Sequence, residues 1–181
     1  MNMKIASAGF KLALLTLVPL LAVLGCETTK KLNKSPQATL RLHLEVPPDR
    51  GERSLPVPIM RDNPFFINVQ SSPFLDERYL TNVVVFEAVG GPAIDIQFGT
   101  TGARILEQYS MAHRGRQIGI FCSWSDASTN TYIRWLAAPV FTRTITDGHL
   151  RFTPDANPAE ITEIVTALTN TVKKVRRTTG I

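Results

Sequence analysis

An apolar stripe near the C-terminus most constrains what this chain can fold into. Asn157 suits the N-cap position of a helix, Pro158 suits its first turn, and Glu160 can return a hydrogen bond to the cap amide. The apolar residues that follow recur at helical spacing and share one face of the helix. They are Ile161, Ile164, Val165, Leu168, Val172 and Val175. Because an apolar face must be covered, we predict that this helix packs on a sheet.

Strand patterns precede this helix. Residues 40–46 alternate between apolar and polar, which predicts a strand with one wet face. Residues 65–69 predict another strand, and residues 57–60 form a further short apolar run. Residues 80–89 and 93–98 flank Gly90 and Gly91, and we expect them to pair as a hairpin. Further strand-like segments lie at 117–123, 132–136, 139–142 and 150–152.

A second helix is predicted between these strands. Thr100 or Thr101 can cap it, and Gly115 suits a left-handed end. Ile105, Tyr109 and Ala112 recur at helical spacing, with Leu106 beside them. The chain therefore predicts an α+β fold, with a mostly antiparallel β-sheet and two main helices packed on one face.

The N-terminal segment predicts a lipid anchor. Lys4 and Lys11 supply a positive region, an apolar run follows, and Val23-Leu24-Gly25-Cys26 resembles a lipobox. The apolar run is shorter than the about 20 residues that a membrane-spanning helix needs. We predict a lipoprotein signal peptide at 1–25 and acyl chains such as palmitate on Cys26.

Cleavage before Cys26 would leave a flexible tether at 26–38 and a single domain at 39–181. The anchor predicts attachment to a membrane on the periplasmic face of the cell envelope. Glu27 follows the cysteine, where Asp would indicate retention in the inner membrane, so the outer membrane is favoured.

The net charge of +5 belongs to the ends of the chain. Residues 36–172 carry 11 Lys and Arg against 14 Asp and Glu, so the predicted domain is mildly acidic. This distribution argues against a nucleic-acid partner, which would require basic residues concentrated on the fold. We expect the basic tether to lie against anionic lipid headgroups.

No motif predicts a cofactor or a metal. His43, His113 and His149 lack a second ligand at the spacing of a helical metal site. Cys122 lies in a strand pattern and is predicted to be buried, and Asp76-Glu77 is predicted to cap a short helix. Three aromatic residues around a polar loop are the candidate recognition residues, namely Trp124, Tyr132 and Trp135. They can equally close one end of the core.

One set of short motifs carries a family resemblance. It comprises Phe98-x-x-x-Gly102-Ala103, the strand at 118–121, Ala138-Pro139-Val140 and Ile145-x-x-Gly148. In their order and spacing, residues from Phe65 to about Val172 resemble the head part of the first periplasmic domain of SecD, a membrane subunit that assists protein export. Where SecD has a tight Asp-Gly hairpin, this chain has a longer Ser- and Thr-rich segment with Trp124 and Tyr132.

Two functions are compatible with these features. The resemblance implies an α+β fold and a capacity to contact extended or partly folded polypeptide, which favours a non-enzymatic binding or accessory lipoprotein that contacts envelope or exported proteins. The alternative is an envelope hydrolase whose site is assembled from residues distant in sequence. A deep pocket that joins His, Asp and Ser or Cys would favour the hydrolase, and a shallow groove or bare strand edge would favour the binding protein.

The predicted anchor can be tested by metabolic labelling with a palmitate analogue. Wild-type protein should incorporate the label and partition with membranes, because several acyl chains hold a domain on a bilayer. Cys26→Ser should lose both properties. A Cys26→Ser protein that still labels and still partitions with membranes would contradict the prediction.

Overall fold

The structure is a computed structural model that describes residues 35–48 and 53–179. Its helices are α1 (Thr100–Ala112) and α2 (Pro158–Thr179), with a short 3₁₀ helix at Glu77–Tyr79. The strands of the described residues are β1 (Ala38–Leu44), β2 (Ser54–Ile59), β3 (Phe65–Gln70), β4 (Leu75–Asp76), β5 (Leu80–Ala88), β6 (Gly91–Phe98), β7 (Ile118–Ser125), β8 (Thr131–Ala137) and β9 (His149–Phe152). The pairings between these strands are antiparallel, which confirms the α+β class.

The strands divide among three sheets. A four-stranded sheet has the order β4-β1-β7-β8, and a three-stranded sheet has the order β5-β6-β9. Strand β1 pairs with β7 along its length, from Ala38 opposite Trp124 to Leu44 opposite Ile118. The predicted hairpin is confirmed: β5 and β6 meet at Gly90 and Gly91, and both glycines have positive φ. Strands β2 and β3 form a separate hairpin.

Helix α2 joins the two larger sheets. It contacts β1 and β7 of the four-stranded sheet and β5 and β6 of the three-stranded sheet. Its residues Ile161, Ile164 and Leu168 are buried in a single core cluster that includes side chains of both sheets. The predicted capping box is also present. The Asn157 amide donates to Glu160 Oε2, and the Glu160 amide donates to Asn157 Oδ1, both at 2.9 Å.

Helix α1 begins differently from the prediction. Gly99 is its N-cap and makes no side-chain hydrogen bond, so the prediction that Thr100 or Thr101 caps the helix is wrong. Its buried residues are Gly102, Leu106 and Ser110, and Ile105 and Tyr109 of the predicted stripe are half-buried against the same core. The absence of a side chain at Gly102 lets the helix approach Tyr79 and Phe98.

The β2–β3 hairpin packs on the outer face of the four-stranded sheet, opposite α2. Its buried residues Val57, Ile59, Ile67 and Val69 form a second small core against Trp135 and Ala138. Pro56 and Pro58 point away from this core at alternate positions of β2, where an edge strand tolerates them. The hairpin therefore covers part of a face that the sequence predicted to be wet.

His43 shows the consequence of this packing. We expected its side chain on the wet face of β1, but it is only 6% exposed. Its Nδ1 lies 2.7 Å from the Gln70 carbonyl oxygen, and its ring meets the Trp135 ring edge-on at 5.2 Å. Because a carbonyl only accepts, Nδ1 donates this hydrogen bond. The single wet face predicted for β1 is therefore wrong at its hairpin-covered end.

The residues just before β1 already contact the domain. Strand β1 begins at Ala38, and the Pro36 carbonyl already accepts a hydrogen bond from Asn170 Nδ2 at 3.0 Å. The last residues assigned to the tether thus contact the domain. The predicted signal peptide at 1–25, Cys26 and the tether up to residue 34 lie outside the described residues. None of the helices in the described ranges is both long and apolar enough to cross a membrane.

Gly119 sets how closely the β2–β3 hairpin approaches the sheet. A Cβ at this position would lie 2.9 Å from Trp135 Cζ3 and 3.0 Å from Val69 Cγ1. We expect Gly119→Ala to lower the free energy of unfolding by about 1–3 kcal/mol, because both neighbours belong to the packed interface. Ser123→Ala, on the same face beyond the hairpin, should change it by less than about 0.5 kcal/mol. Urea unfolding measures both, and equal midpoints would contradict this account.

Candidate functional site

A groove opens beside the tip of the β2–β3 hairpin. Its walls are the residues around the turn from β2 to β3, the end of β8 with the residues that follow, and the segment 152–157 that leads into α2. Its volume is about 670 Å³, within the range of about 300–1,000 Å³ of typical ligand pockets. The apolar part of the lining includes Ile59, Met60, Phe65, Ala138, Pro139 and Phe152. We call this site the hairpin groove.

Met60 and Phe65 give the hairpin groove an exposed apolar surface. Their relative exposures are 53% and 41%, although both side chains are large and apolar. Met60 also has φ of 69°, a left-handed conformation that is uncommon outside glycine. Such backbone persists where its surroundings enforce it, and it concentrates at functional sites. The flexible Met thioether can adapt to partners of different shape.

Ion pairs fix the two sides of the groove to each other. The Arg61 amide donates to Asp155 Oδ2 at 2.8 Å, and its guanidinium lies 3.2 Å from Glu160 Oε2. On the other side of Glu160, Arg134 Nη2 lies 3.0 Å from Oε1. The hydrogen bond from Arg134 holds the pKa of the Glu160 carboxyl below its usual value. The hairpin turn and the start of α2 are thereby held at a defined separation.

The predicted recognition aromatics do not form one surface. Trp124 lies in β7 rather than in a polar loop, and it is only 1% exposed. Its ring stacks on Tyr132 at 5.3 Å, and Arg134 lies 5.2 Å above it. Trp135 points to the opposite face, where its ring meets Phe121 at 5.3 Å and supports the hairpin. The recognition role is therefore corrected for Trp124, which closes the core as in the alternative prediction.

The reactive side chains are separated by the sheet. Cys122 is buried, and burial raises the pKa of its thiol to about 12. It sits opposite Leu40 on the face that α2 covers, whereas His43 lies under the hairpin on the other face. A thiol that stays protonated and has no nearby imidazole is unsuited to nucleophilic attack.

Three other candidate side chains, Asp76, Glu77 and His149, have structural partners. Asp76 caps the 3₁₀ helix and binds Arg78 at 2.7 Å, as expected for a cap, while Glu77 Oε2 accepts from the Leu40 amide at 3.1 Å. His149 Nδ1 lies 3.0 Å from Asp95 Oδ1. Within the described ranges, no hydroxyl or thiol bonds His149, and no cluster of three His, Cys, Asp or Glu side chains could hold a metal ion.

Comparisons with known proteins match this fold to SecDF. No protein-family model matches the chain, and no curated protein matches it. A solved structure of SecDF, described as a membrane component that enhances protein export, has a TM-score of 0.50 at 14% identity, covering 93% of this chain and 71% of that one. SecDF in a super-membrane-facing form has a TM-score of 0.50 at 16% identity, covering 72% of this chain and 18% of that one.

At these identities the likeness is one of fold. It supports the SecD-like architecture that the short motifs suggested. The hairpin groove itself had no distinct sequence signal. Its only trace was the alternation of Pro56 and Pro58 with Val57 and Ile59, which marks an edge strand whose tip is free to line a site.

His43 makes the hairpin sensitive to pH. Burial lowers the pKa of this imidazole from its usual value of 6.5. The unfolded chain therefore binds a proton as pH falls below about 6.5, while the folded chain resists it, so the free energy of unfolding should fall between pH 7.5 and 5. His43→Gln should reduce this pH dependence, whereas His113→Gln at the end of α1 should leave the pH dependence unchanged. Urea unfolding across this pH range measures the free energy of unfolding. The same pH dependence in wild type and His43→Gln would contradict the prediction.

Proposed function

We propose that this protein is a non-enzymatic accessory protein of the cell envelope that binds extended apolar segments of envelope or exported proteins in the hairpin groove. The observation that carries this proposal is the groove itself, which presents Met60 and Phe65 to solvent between walls that Arg61 joins by ion pairs. Apolar side chains exposed together in a concave site are a feature of binding surfaces rather than of ordinary protein surface.

The groove favours an extended ligand. An extended strand points alternate side chains in opposite directions, so one set can enter an apolar groove while the other faces water. The charged and polar side chains of Arg61, Asp155 and Asn157 lie on the same groove and can meet the peptide backbone. Because the apolar part of the lining consists of aliphatic and aromatic side chains, we expect a preference for hydrophobic side chains over a particular sequence.

The fold likeness to SecDF supports a role near protein export. SecDF enhances protein export, and its structure shares the architecture of this chain. We extend that role to this chain as part of the proposal, with exported or newly translocated chains as the partners. The likeness alone does not carry the function, because unrelated functions share folds.

The proposal includes the lipid anchor. Cys26 at the end of the lipobox-like motif would tether the domain to the periplasmic face of a membrane, with the outer membrane favoured by Glu27. A protein that binds extended chains and catalyses no reaction needs only to be held where those chains emerge. The hydrolase alternative has less support, since the burial of Cys122 and the placement of His43 leave them apart.

A binding measurement tests the groove. The ligand is a fluorescent synthetic peptide with apolar residues at alternate positions, and affinity is read by anisotropy with full-length protein. Met60→Ser combined with Phe65→Ser should weaken binding at least about tenfold, since each removes apolar contact area. Leu55→Ser is the matched control, because Leu55 is 46% exposed on the same hairpin but outside the groove. Equal weakening by the control, or no weakening by the groove variant, would contradict the proposal.

A further inference from the structure

Four basic residues occupy the last turns of α2. They are Lys173, Lys174, Arg176 and Arg177, and the structure leaves all four exposed. We call them the basic end. The sequence alone explains them as favourable charges at a helix C-terminus. The structure adds a second observation, which is where the chain enters the domain.

The N-terminal entry of the domain is fastened to the basic end. The Pro36 carbonyl accepts from Asn170, and Gln37 Oε1 accepts from Lys174 Nζ at 3.0 Å. The amide and the carbonyl of Ala38 each lie 2.9 Å from Thr171 Oγ1, which is buried. The segment that leads back to Cys26 therefore starts beside the basic end. The sequence separates these two regions by more than 130 positions, as in the pair Ala38 and Thr171.

The acidic groups near the basic end have partners of their own. Asp76 is paired with Arg78 at 2.7 Å, so this pair adds no net charge. Glu77 is turned toward the Leu40 amide. Asp126, next to the strand end that bonds Gln37, is held by the amide and the side chain of Asn130. Lys173, Lys174 and Arg177 consequently face solvent, and no acidic side chain among the described residues bonds them. Arg176 Nη2 donates to the Thr81 carbonyl at 2.8 Å.

The opposite end of α2 lacks this excess of positive charge. Asp155 and Glu160 lie there with Arg61 and Arg134 as their ion-pair partners, and Glu163 follows in the helix. A helix of 22 residues is about 33 Å long, so the basic end lies about that far from the start of α2. An anionic surface would attract the basic end more strongly than the start of the helix, which defines an orientation.

We propose that the basic end docks the domain on the anionic headgroups of a phospholipid bilayer, with the hairpin groove directed away from that bilayer. This inference rests on the lipid anchor of the proposed function. About ten residues separate Cys26 from Pro36, and a flexible chain of that length spans about 18 Å. The anchor therefore holds the basic end within reach of the headgroups, where each Lys or Arg strengthens binding about fivefold.

A docked domain has a fixed orientation on the bilayer, whereas a domain that is only tethered tumbles freely. Lys30, Lys31 and Lys34 of the predicted tether carry charge of the same sign. The groove lies at the start of α2, so docking at the end of that helix presents Met60 and Phe65 to the aqueous space. An apolar groove held in this way is kept from burying itself in the lipid that anchors the protein.

The test measures the distance from the bilayer at each end of the domain. Full-length protein purified from membranes is reconstituted into vesicles that carry an energy acceptor on their headgroups. A donor dye is attached at Thr178→Cys near the basic end, or at Asn63→Cys at the hairpin turn. Native Cys122 is buried and does not compete for the dye. Vesicles of phosphatidylglycerol and phosphatidylethanolamine are compared with vesicles of phosphatidylcholine alone.

Docking predicts that energy transfer from position 178 rises at least about twofold on the anionic vesicles and falls again at high salt, while transfer from position 63 stays low. Lys173→Gln, Lys174→Gln and Arg177→Gln together should abolish the rise. The control replaces Arg104, Arg114 and Arg143 by Gln, which removes the same charge from exposed positions elsewhere. Equal transfer from position 178 on both kinds of vesicle, or equal loss in both triple variants, would overturn the proposal.

Mass spectrometry of the purified protein shows whether acyl chains are present. It therefore tests the anchor separately from the docking surface. If acyl chains are present, energy transfer tests docking alone. If they are absent, the anchor in the proposed function fails, and sedimentation of the protein with phosphatidylglycerol vesicles still tests the surface. In that case the triple variant of the basic end should bind at least about tenfold more weakly than the control variant. Equal binding by the two variants would overturn the docking surface.

Discussion

Burial of the apolar face of α2 is the interaction on which the rest of the molecule depends. The helix covers the inner face of the four-stranded sheet and reaches β5 and β6 of the three-stranded sheet, so both sheets share one core. Without a disulfide among the described residues, this core must supply the stability. The same helix also separates two sites: the hairpin groove lies at its start, and the entry of the chain into the domain lies near its end.

The second level of organisation is the hairpin on the opposite face. A two-stranded hairpin is marginal by itself, so β2 and β3 depend on packing against the sheet through Gly119, Val69 and Trp135. That packing buries His43, and the hairpin tip is tied to the start of α2 through Arg61. The groove stays open because polar contacts, rather than packed apolar side chains, join the hairpin tip to the start of α2.

Local patterns predicted the elements with strong local causes. The capping box at Asn157, the glycine turn of β5 and β6 and the α+β class follow from neighbouring residues, and the structure agrees. Features that depend on distant contacts were missed. Nothing near His43 in sequence reveals the hairpin that covers it, and Trp124 reads as a loop residue until β7 extends through it. The groove is formed by segments around residues 60, 138 and 155, so no short stretch of the sequence contains all of its residues.

The SecD-like motif has a packing explanation in this fold. A Cβ on Gly102 would lie 2.8 Å from the Tyr79 Cβ, and one on Gly148 would lie 2.8 Å from the Ala103 Cβ. These small residues let α1 approach its neighbours, so packing explains why the motif contains them.

The most direct test of the central claim is photo-crosslinking in cells with benzoylphenylalanine in place of Phe65, and in place of Leu55 as the control. The account predicts that the Phe65 position captures exported or envelope proteins and the Leu55 position does not. Equal capture at both positions, or none at Phe65, would contradict it.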